Sequence, residues 1–225
     1  MVLFRGKYGA FCWIFLWMNG HYCYLTSMKY VAHLEKDRKL SKTMVEALPE
    51  LELHSNLPLR LMASIMSQQL STKVAKVIYQ RFLDLYNGKN PKPAEVLATP
   101  STSLRGIGLS NAKVGYILNV ASFCIEQKIT DKKLQQLSNE EIIDLLTQIK
   151  GVGKWTVEML LMFSLGREDV FAVDDFGIQQ AMIKLYRLEN LEKKELKEKM
   201  LDISLKWSPY RTYACLHLWQ WKDEK

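Results

Sequence analysis

From residue 40 onward the apolar positions of the chain recur with helical spacing. Ser138-Asn-Glu-Glu141 has the form of a capping box, and Ile142, Leu145, Leu146 and Ile149 follow at i, i+3, i+4 and i+7, which predicts a helix here. Pro58 is placed to open another over LRLMASIMSQQ, because proline fits the first helical turn. Ser71 is placed to cap a third, whose Val74, Val77, Ile78, Phe82 and Leu85 are expected on one face and which Asn87-Gly88 should end. The same spacing predicts helices over 110–127, 154–165, 176–187, 192–204 and 209–222. Alternating strand patterns are almost absent, so the pattern predicts an all-α protein with short connections.

Two of those connections share a form. Leu104-Arg-Gly-Ile-Gly-Leu109 and Ile149-Lys-Gly-Val-Gly-Lys154 each place Gly-apolar-Gly directly before a helix, so Gly106 and Gly108 are matched by Gly151 and Gly153. Glycine permits positive φ and close approach of a foreign backbone, and the N–H groups of the helix start point outward at the positive end of its dipole. Such a turn suits a phosphate; it also serves as a plain interhelical turn.

The amino terminus differs from the rest. Ala10 to Met18 runs nine apolar positions behind Arg5 and Lys7, in the manner of a secretory leader. No small-x-small cleavage site follows, and nine residues fall short of the roughly 20 needed to span a bilayer. An ordinary soluble composition starts at Met28, so residues 1–27 are expected to be an upstream extension, with translation starting at Met28 and no membrane association.

The 225 residues carry 31 Lys+Arg against 24 Asp+Glu, a net charge of +7, and 48% are hydrophobic. That combination excludes an acidic solvating chain and a disordered one, leaves room for one or two compact domains, and makes nucleic acid a reasonable partner. The cysteines at 12, 23, 124 and 215 form no CxxC pair, so neither a disulfide framework nor structural zinc is expected, and a reducing, cytoplasmic setting is. The histidines at 21, 33, 54 and 217 lack zinc-ligand spacing. No HExxH, GxSxG, Walker A or dinucleotide motif occurs, which removes those enzyme classes.

The segment IKGVGKWTVEMLLMFSLGREDVFAVDDFGI (149–178) resembles the helix-hairpin-helix DNA glycosylases, in particular the 3-methyladenine DNA glycosylase II branch. SIMSQQLSTKVAKVIYQRF (64–82), GLSNAKVGYI (108–117) and WSPYRTYACLHLW (207–219) resemble the same branch in the same order, so the likeness covers roughly residues 55–221. It implies two helical subdomains flanking a DNA-binding cleft within a helical domain of residues 28–225, with the helix-hairpin-helix at about 140–165. The additional amino-terminal β domain of some bacterial members is not expected here.

The resemblance also implies roles. The hairpin would grip backbone phosphate through Gly151, Gly153, Lys154 and Thr156, with Gly106 and Gly108 in the first turn. Gln69 matches the wedge that fills the gap left in a duplex, with Leu70 as the apolar alternative, although a plain polar helix end would look the same. The catalytic aspartate aligns with Asp175, 22 residues after Gly153, with Asp174 as its neighbour or as the helix cap. Cleaving an N-glycosylic bond builds positive charge on the sugar, and an ionised carboxylate beside C1′ stabilises that charge and orients water. Both aspartates could equally serve only as caps.

Members that also nick the backbone carry a lysine nucleophile two places after the second hairpin glycine; here Trp155 stands there. Water is therefore the expected nucleophile and an abasic site the product. The rival readings are a glycosylase with lyase activity and a non-catalytic DNA-binding module. No four-cysteine run exists to hold an iron–sulfur cluster, and no cofactor is required. The family habit of a monovalent Na⁺ or K⁺ at the hairpin points to backbone carbonyls of Thr147, Ile149 and Val152. An alkylated purine is a flat, electron-poor cation that an aromatic face would prefer over normal bases. Trp219 is the expected stacking partner, with Trp155 and Met159 as further base-binding candidates, although core packing is the ordinary use of any one tryptophan. The implied partner is double-stranded DNA bearing alkylated bases, met by a monomer on nucleoid or nuclear DNA.

Overall fold

The computed structural model describes residues 28–223. The apolar run of Ala10 to Met18, Cys12, Cys23, His21 and the expected upstream extension therefore lie outside the described residues. Among the described residues every regular element is helical. No described helix is long and apolar enough to cross a membrane. The chain divides into two compact units, one of residues 53–165 and one built from 28–52 together with 166–223.

The 53–165 unit contains eight helices. They are α2 (Leu57–Ser67), α3 (Thr72–Asp84), α4 (Pro93–Ala98), α5 (Ser101–Gly106), α6 (Asn111–Glu126), α7 (Asp131–Gln136), α8 (Asn139–Leu146) and α9 (Lys154–Phe163). α2 is its centre. It is buried along its whole length and packs against α3, α6 and α9. Polar residues start the helices as the sequence predicts: Ser71 caps α3, and Ser138 with Glu141 forms the capping box of α8. Asp131 does a second job, its two carboxylate oxygens accepting from the N–H groups of Asn56 (2.6 Å) and Leu57 (2.9 Å) at the start of α2.

The other unit holds α1 (Met28–Leu34), a 3₁₀ turn at Leu40–Thr43, α10 (Phe176–Tyr186), α11 (Lys193–Leu205) and α12 (Arg211–Asp223). α10 and the 3₁₀ turn pack on α12, whose residues Thr212 to Leu218 are all buried. Trp207 belongs to this core. It is fully buried, meets Phe171 edge to face, and donates Nε1–H to Asp37 (3.0 Å).

Two expectations need correction. The buried face of α3 is Ala75, Ile78, Tyr79 and Phe82; Val74 and Val77 are each 45% exposed and Leu85 is 39% exposed. The register is turned because Ala75 and Tyr79 pack inward, where a count of aliphatic positions gave them no weight. The two Gly-x-Gly turns are also not equivalent. Positive φ falls on Gly108 (+108°) in the first and on Gly151 (+103°) in the second, in each case three residues before the next helix begins. Gly106 is the last residue of α5, so the first turn matches the second only when shifted by two positions.

Candidate functional site

The hairpin between α8 and α9 is shaped by its own backbone and by α6. Thr147 closes α8, the N–H of Val152 bonds the Ile149 carbonyl (3.0 Å), and Gly151 turns the chain with positive φ. A β-carbon on Gly151 would lie 2.2 Å from Cγ of Tyr116, so only glycine lets the turn settle on that ring. Asn119 Nδ2 donates to the Lys150 carbonyl (3.1 Å) from the same helix. Gly153 is then the N-cap of α9, at ordinary φ, and offers no side chain to the N–H groups of the first turn. That contrasts with α3, α6, α7 and α8, each of which begins under a serine or threonine oxygen. An exposed, uncapped helix start flanked by Lys154 is the arrangement an anion binds.

α9 does not present all the residues assigned to it. Thr156 is 2% exposed and its hydroxyl accepts from Gln68 Nε2 (3.3 Å), so it braces the corner after α2 and does not face a phosphate. Met159 is 1% exposed, inside a run from Thr156 to Phe163 that is buried without interruption, so it packs in the core and offers no surface to a base. Trp155 is half-buried and Lys154 is exposed, 3.6 Å from Glu158.

The corner after α2 carries Gln69 exposed and in the left-handed backbone region (φ 59°), with Leu70 half-buried beside it. A glutamine there costs of order 1–2 kcal/mol in backbone strain, which the surroundings must hold. They do so through Lys113 of α6, whose Nζ donates to the carbonyls of Met66 (2.9 Å) and Gln68 (2.7 Å). Burial pulls the Lys113 amine below its ordinary pKa. The sequence held no sign of this brace, because a lysine inside a helix reads as surface.

In the other unit, Asp175 is the N-cap of α10. Its Oδ1 accepts from the N–H of Ile178 (2.8 Å) and from Nε1–H of Trp219 (2.8 Å). The start of α12 is fastened to the segment before Asp175, which sets that approach. Thr212 Oγ1 donates to the Arg167 carbonyl (2.6 Å) and accepts from Val170 N–H (3.1 Å), and Arg211 grips Asp169 through Nε (2.6 Å) and Nη2 (3.0 Å). Arg211 holds the Asp169 carboxyl below its usual range against the opposing effect of burial, which is the larger single influence. Asp174 is not the cap; it pairs with Lys197 at 2.7 Å, both half-exposed. Trp219 is half-buried, neither core nor open. Phe176, next to Asp175, is 70% exposed, a residue the sequence reading passed over; its signal was an aromatic directly after the candidate carboxylate.

Charge follows the same division. Residues 53–165 hold 13 Lys+Arg against 8 Asp+Glu, whereas the described residues of the other unit hold 15 of each. The hairpin unit thus supplies most of the chain's net +7. No group of His, Cys, Asp and Glu among the described residues gathers as a metal site.

Comparison with known proteins joins these features to a family. The model of the HhH-GPD superfamily base excision DNA repair proteins matches residues 62–205, a span that includes the α2 corner, both glycine turns and Asp175. The chain belongs to the HhH-GPD superfamily. Among its relatives, DNA-3-methyladenine glycosylase 1 of Schizosaccharomyces pombe is 40% identical over 162 residues, 71% of this chain and 70% of the relative. Among solved structures, the S. pombe 3-methyladenine DNA glycosylase Mag1 in complex with abasic DNA superposes with a TM-score of 0.73 at 35% identity, covering 85% of this chain and 95% of that one. A DNA-3-methyladenine glycosidase from Bacillus halodurans gives a TM-score of 0.75 at 33% identity, covering 89% and 91%. The HhH-GPD fold is therefore present in its helical form.

Proposed function

We propose that the chain is a monofunctional DNA glycosylase that removes alkylated purines of the 3-methyladenine and 7-methylguanine type from double-stranded DNA and so starts base-excision repair. The observation that carries the chemistry is Asp175. Its carboxylate is fixed at the N-terminus of α10 by the Ile178 N–H and by the indole N–H of Trp219. Leaving of the base builds positive charge on the deoxyribose, and a carboxylate held in one orientation by two donors needs no rearrangement to meet that charge. The same carboxylate can orient the water that completes hydrolysis. Trp155 occupies the position where a lyase would carry its lysine, which supports water as the nucleophile.

The relatives named 3-methyladenine glycosylases support the substrate class. Recognition is assigned to the Trp219 face and to the exposed ring of Phe176. Backbone binding falls to the uncapped start of α9, to Lys154 and to the Gly108 turn, while Gln69 fills the gap left by the flipped nucleotide. The enzyme works as a monomer on nucleoid or nuclear DNA and requires no cofactor. Carbonyls of Thr147, Ile149 and Val152 suit a Na⁺ or K⁺ by donor type, being neutral oxygens; that of Ile149 already accepts one N–H, which leaves it one lone pair. Such an ion would stiffen the turn and add positive charge toward the DNA backbone.

The test is mass analysis of bases released from methylated duplex DNA, with Asp175→Asn as comparison. The wild type should release alkylated purines. The variant should keep its DNA affinity and lose roughly 10²- to 10³-fold in single-turnover rate. A loss below about threefold would move the catalytic role away from Asp175, and a covalent adduct trapped by borohydride would establish the lyase instead.

A further inference from the structure

Although acidic and basic residues balance in the unit built from 28–52 and 166–223, the basic ones gather at the C-terminal end of α10. Two adjoining depressions open there and share Lys39. One, of about 300 Å³, has Arg38, Lys39, Lys199 and Lys206 on its walls; the other, of about 410 Å³, has Lys39, Lys42, Lys184 and Arg187 beside Trp221. Among the described residues, Asp37 is the one carboxylate lining either.

That carboxylate is already spoken for. It accepts from Tyr186 Oη (2.6 Å), Trp207 Nε1 (3.0 Å) and the Lys39 N–H (3.0 Å), and it pairs with Lys206 (2.9 Å). Burial would raise its pKa, but these donors outweigh burial and hold it at about 2. Lys39 Nζ reaches the Tyr186 carbonyl (3.4 Å), and Lys199 pairs with Asp202. Four cations remain, Arg38, Lys42, Lys184 and Arg187. All four are exposed and form no ion pair with any described residue; Lys184 lies 5.6 Å from the Trp221 ring centroid.

Arg187 adds an independent observation. It is the C-cap of α10 in the left-handed region (φ 61°), where glycine is the ordinary choice and a residue with a β-carbon is strained by roughly 1–2 kcal/mol. The chain keeps a charge at a position that its backbone would rather give to glycine.

We propose that this pair of depressions is a second DNA-backbone site, separate from the carboxylate at the other end of the helix. Resting on the glycosylase reading for the identity of its polyanion, it takes the phosphates of a duplex segment outside the one that carries the damaged base. The 11 residues of α10 put about 16 Å between its two ends, roughly five base steps of a strand. A duplex reaching only about three base steps, ~10 Å, past a lesion held at Asp175 therefore leaves the cluster free, and a long one or a second one fills it.

The experiment compares the full chain with Lys42→Ala/Lys184→Ala/Arg187→Ala on an undamaged duplex of about 40 base pairs and on a lesion duplex of about seven with the lesion at its centre. On the long duplex the slope of log K against log salt should fall by about 2–3, near 0.9 for each charge removed. Affinity for the short duplex and the single-turnover excision rate should stay within about twofold. An unchanged slope on the long duplex overturns the proposal, and if the variant meanwhile loses binding to polyglutamate, the surface belongs to an acidic protein. Equal losses on both duplexes overturn it too, by making the cluster part of the lesion site. Arg187→Gly guards against a folding artefact: it should raise the melting temperature while lowering the slope by about 1, and a slope unchanged in that stable variant counts against the site. Wild type that binds long duplex with the full slope but releases no base would sink the glycosylase reading alone.

Discussion

The Asp175 carboxylate owes its geometry to a residue with no side chain. A β-carbon on Gly177 would lie 3.1 Å from Asp175 Oδ1, 3.1 Å from Trp219 Cδ1 and 3.2 Å from Trp219 Nε1, closer than ordinary van der Waals contact. Glycine inside a helix is otherwise disfavoured relative to alanine by roughly 0.5–1 kcal/mol. Gly177→Ala should therefore hold or raise the melting temperature, leave DNA affinity intact and slow single-turnover excision about tenfold, by pushing the indole off the carboxylate. In a Trp219→Phe background, which has no indole N–H to displace, the same change should do much less. Equal losses in both backgrounds would show that Gly177 acts through something other than this contact. The sequence singled out Asp175 and Trp219 but gave no reason to join them. Their hydrogen bond depends on how α12 is fastened at Thr212 and Arg211, and residues 44 apart carry no local sign of that.

Among the elements, the two glycines of the α8–α9 turn separate folding from binding. Gly151 is required by its φ and by the Tyr116 ring, whereas Gly153 has ordinary φ and nothing within 4 Å of where a β-carbon would sit. Gly151→Ala should lower the melting temperature. Gly153→Ala should not, yet it should weaken duplex binding several-fold for every sequence alike, because its methyl intrudes only where a phosphate comes close. Unchanged binding by Gly153→Ala would remove the hairpin from the interface. The Gln69 corner offers a parallel test. Lys113→Met leaves the Met66 and Gln68 carbonyls without their donor, so it should cost about 1–2 kcal/mol of stability. It should also slow excision from paired duplex more than from a mismatched site, where less wedging is needed; equal slowing on both would make Lys113 merely structural. The long helices were legible because Ser71, Ser110 and Ser138 mark their starts and apolar spacing marks their length. The six-residue helices α4, α5 and α7 were not, since helices that short are held by tertiary packing. α9 misled for the opposite reason: buried from Thr156 to Phe163, it has no polar face from which to tell a pocket residue such as Met159 from a core one.

At the scale of the whole molecule, the basic excess lies on the unit that holds the α8–α9 turn and Asp175 lies on the balanced one, and salt should act on duplex binding while pH acts on stability. The pH dependence has a definite source in His217 of α12, which is fully buried and whose two ring nitrogens meet no hydrogen-bonding partner among the described residues. Burial pushes its pKa down to about 4, and burial together with the Arg60 charge does the same for the half-buried His54. A depressed folded pKa means that the unfolded chain binds the proton first. Stability from His217 is therefore complete above about pH 6.5 and is lost as pH falls from there toward 4, at about 1.4 kcal/mol per pH unit. The melting temperature should drop between pH 6.5 and 4, and His217→Phe should flatten that drop. The same variant should be at least as stable as wild type at pH 7, because a ring of similar shape replaces polar atoms that had no partner. Melting curves across this range decide the matter: if His217→Phe keeps the wild-type pH slope, acid sensitivity lies elsewhere, with His54 the next residue to replace.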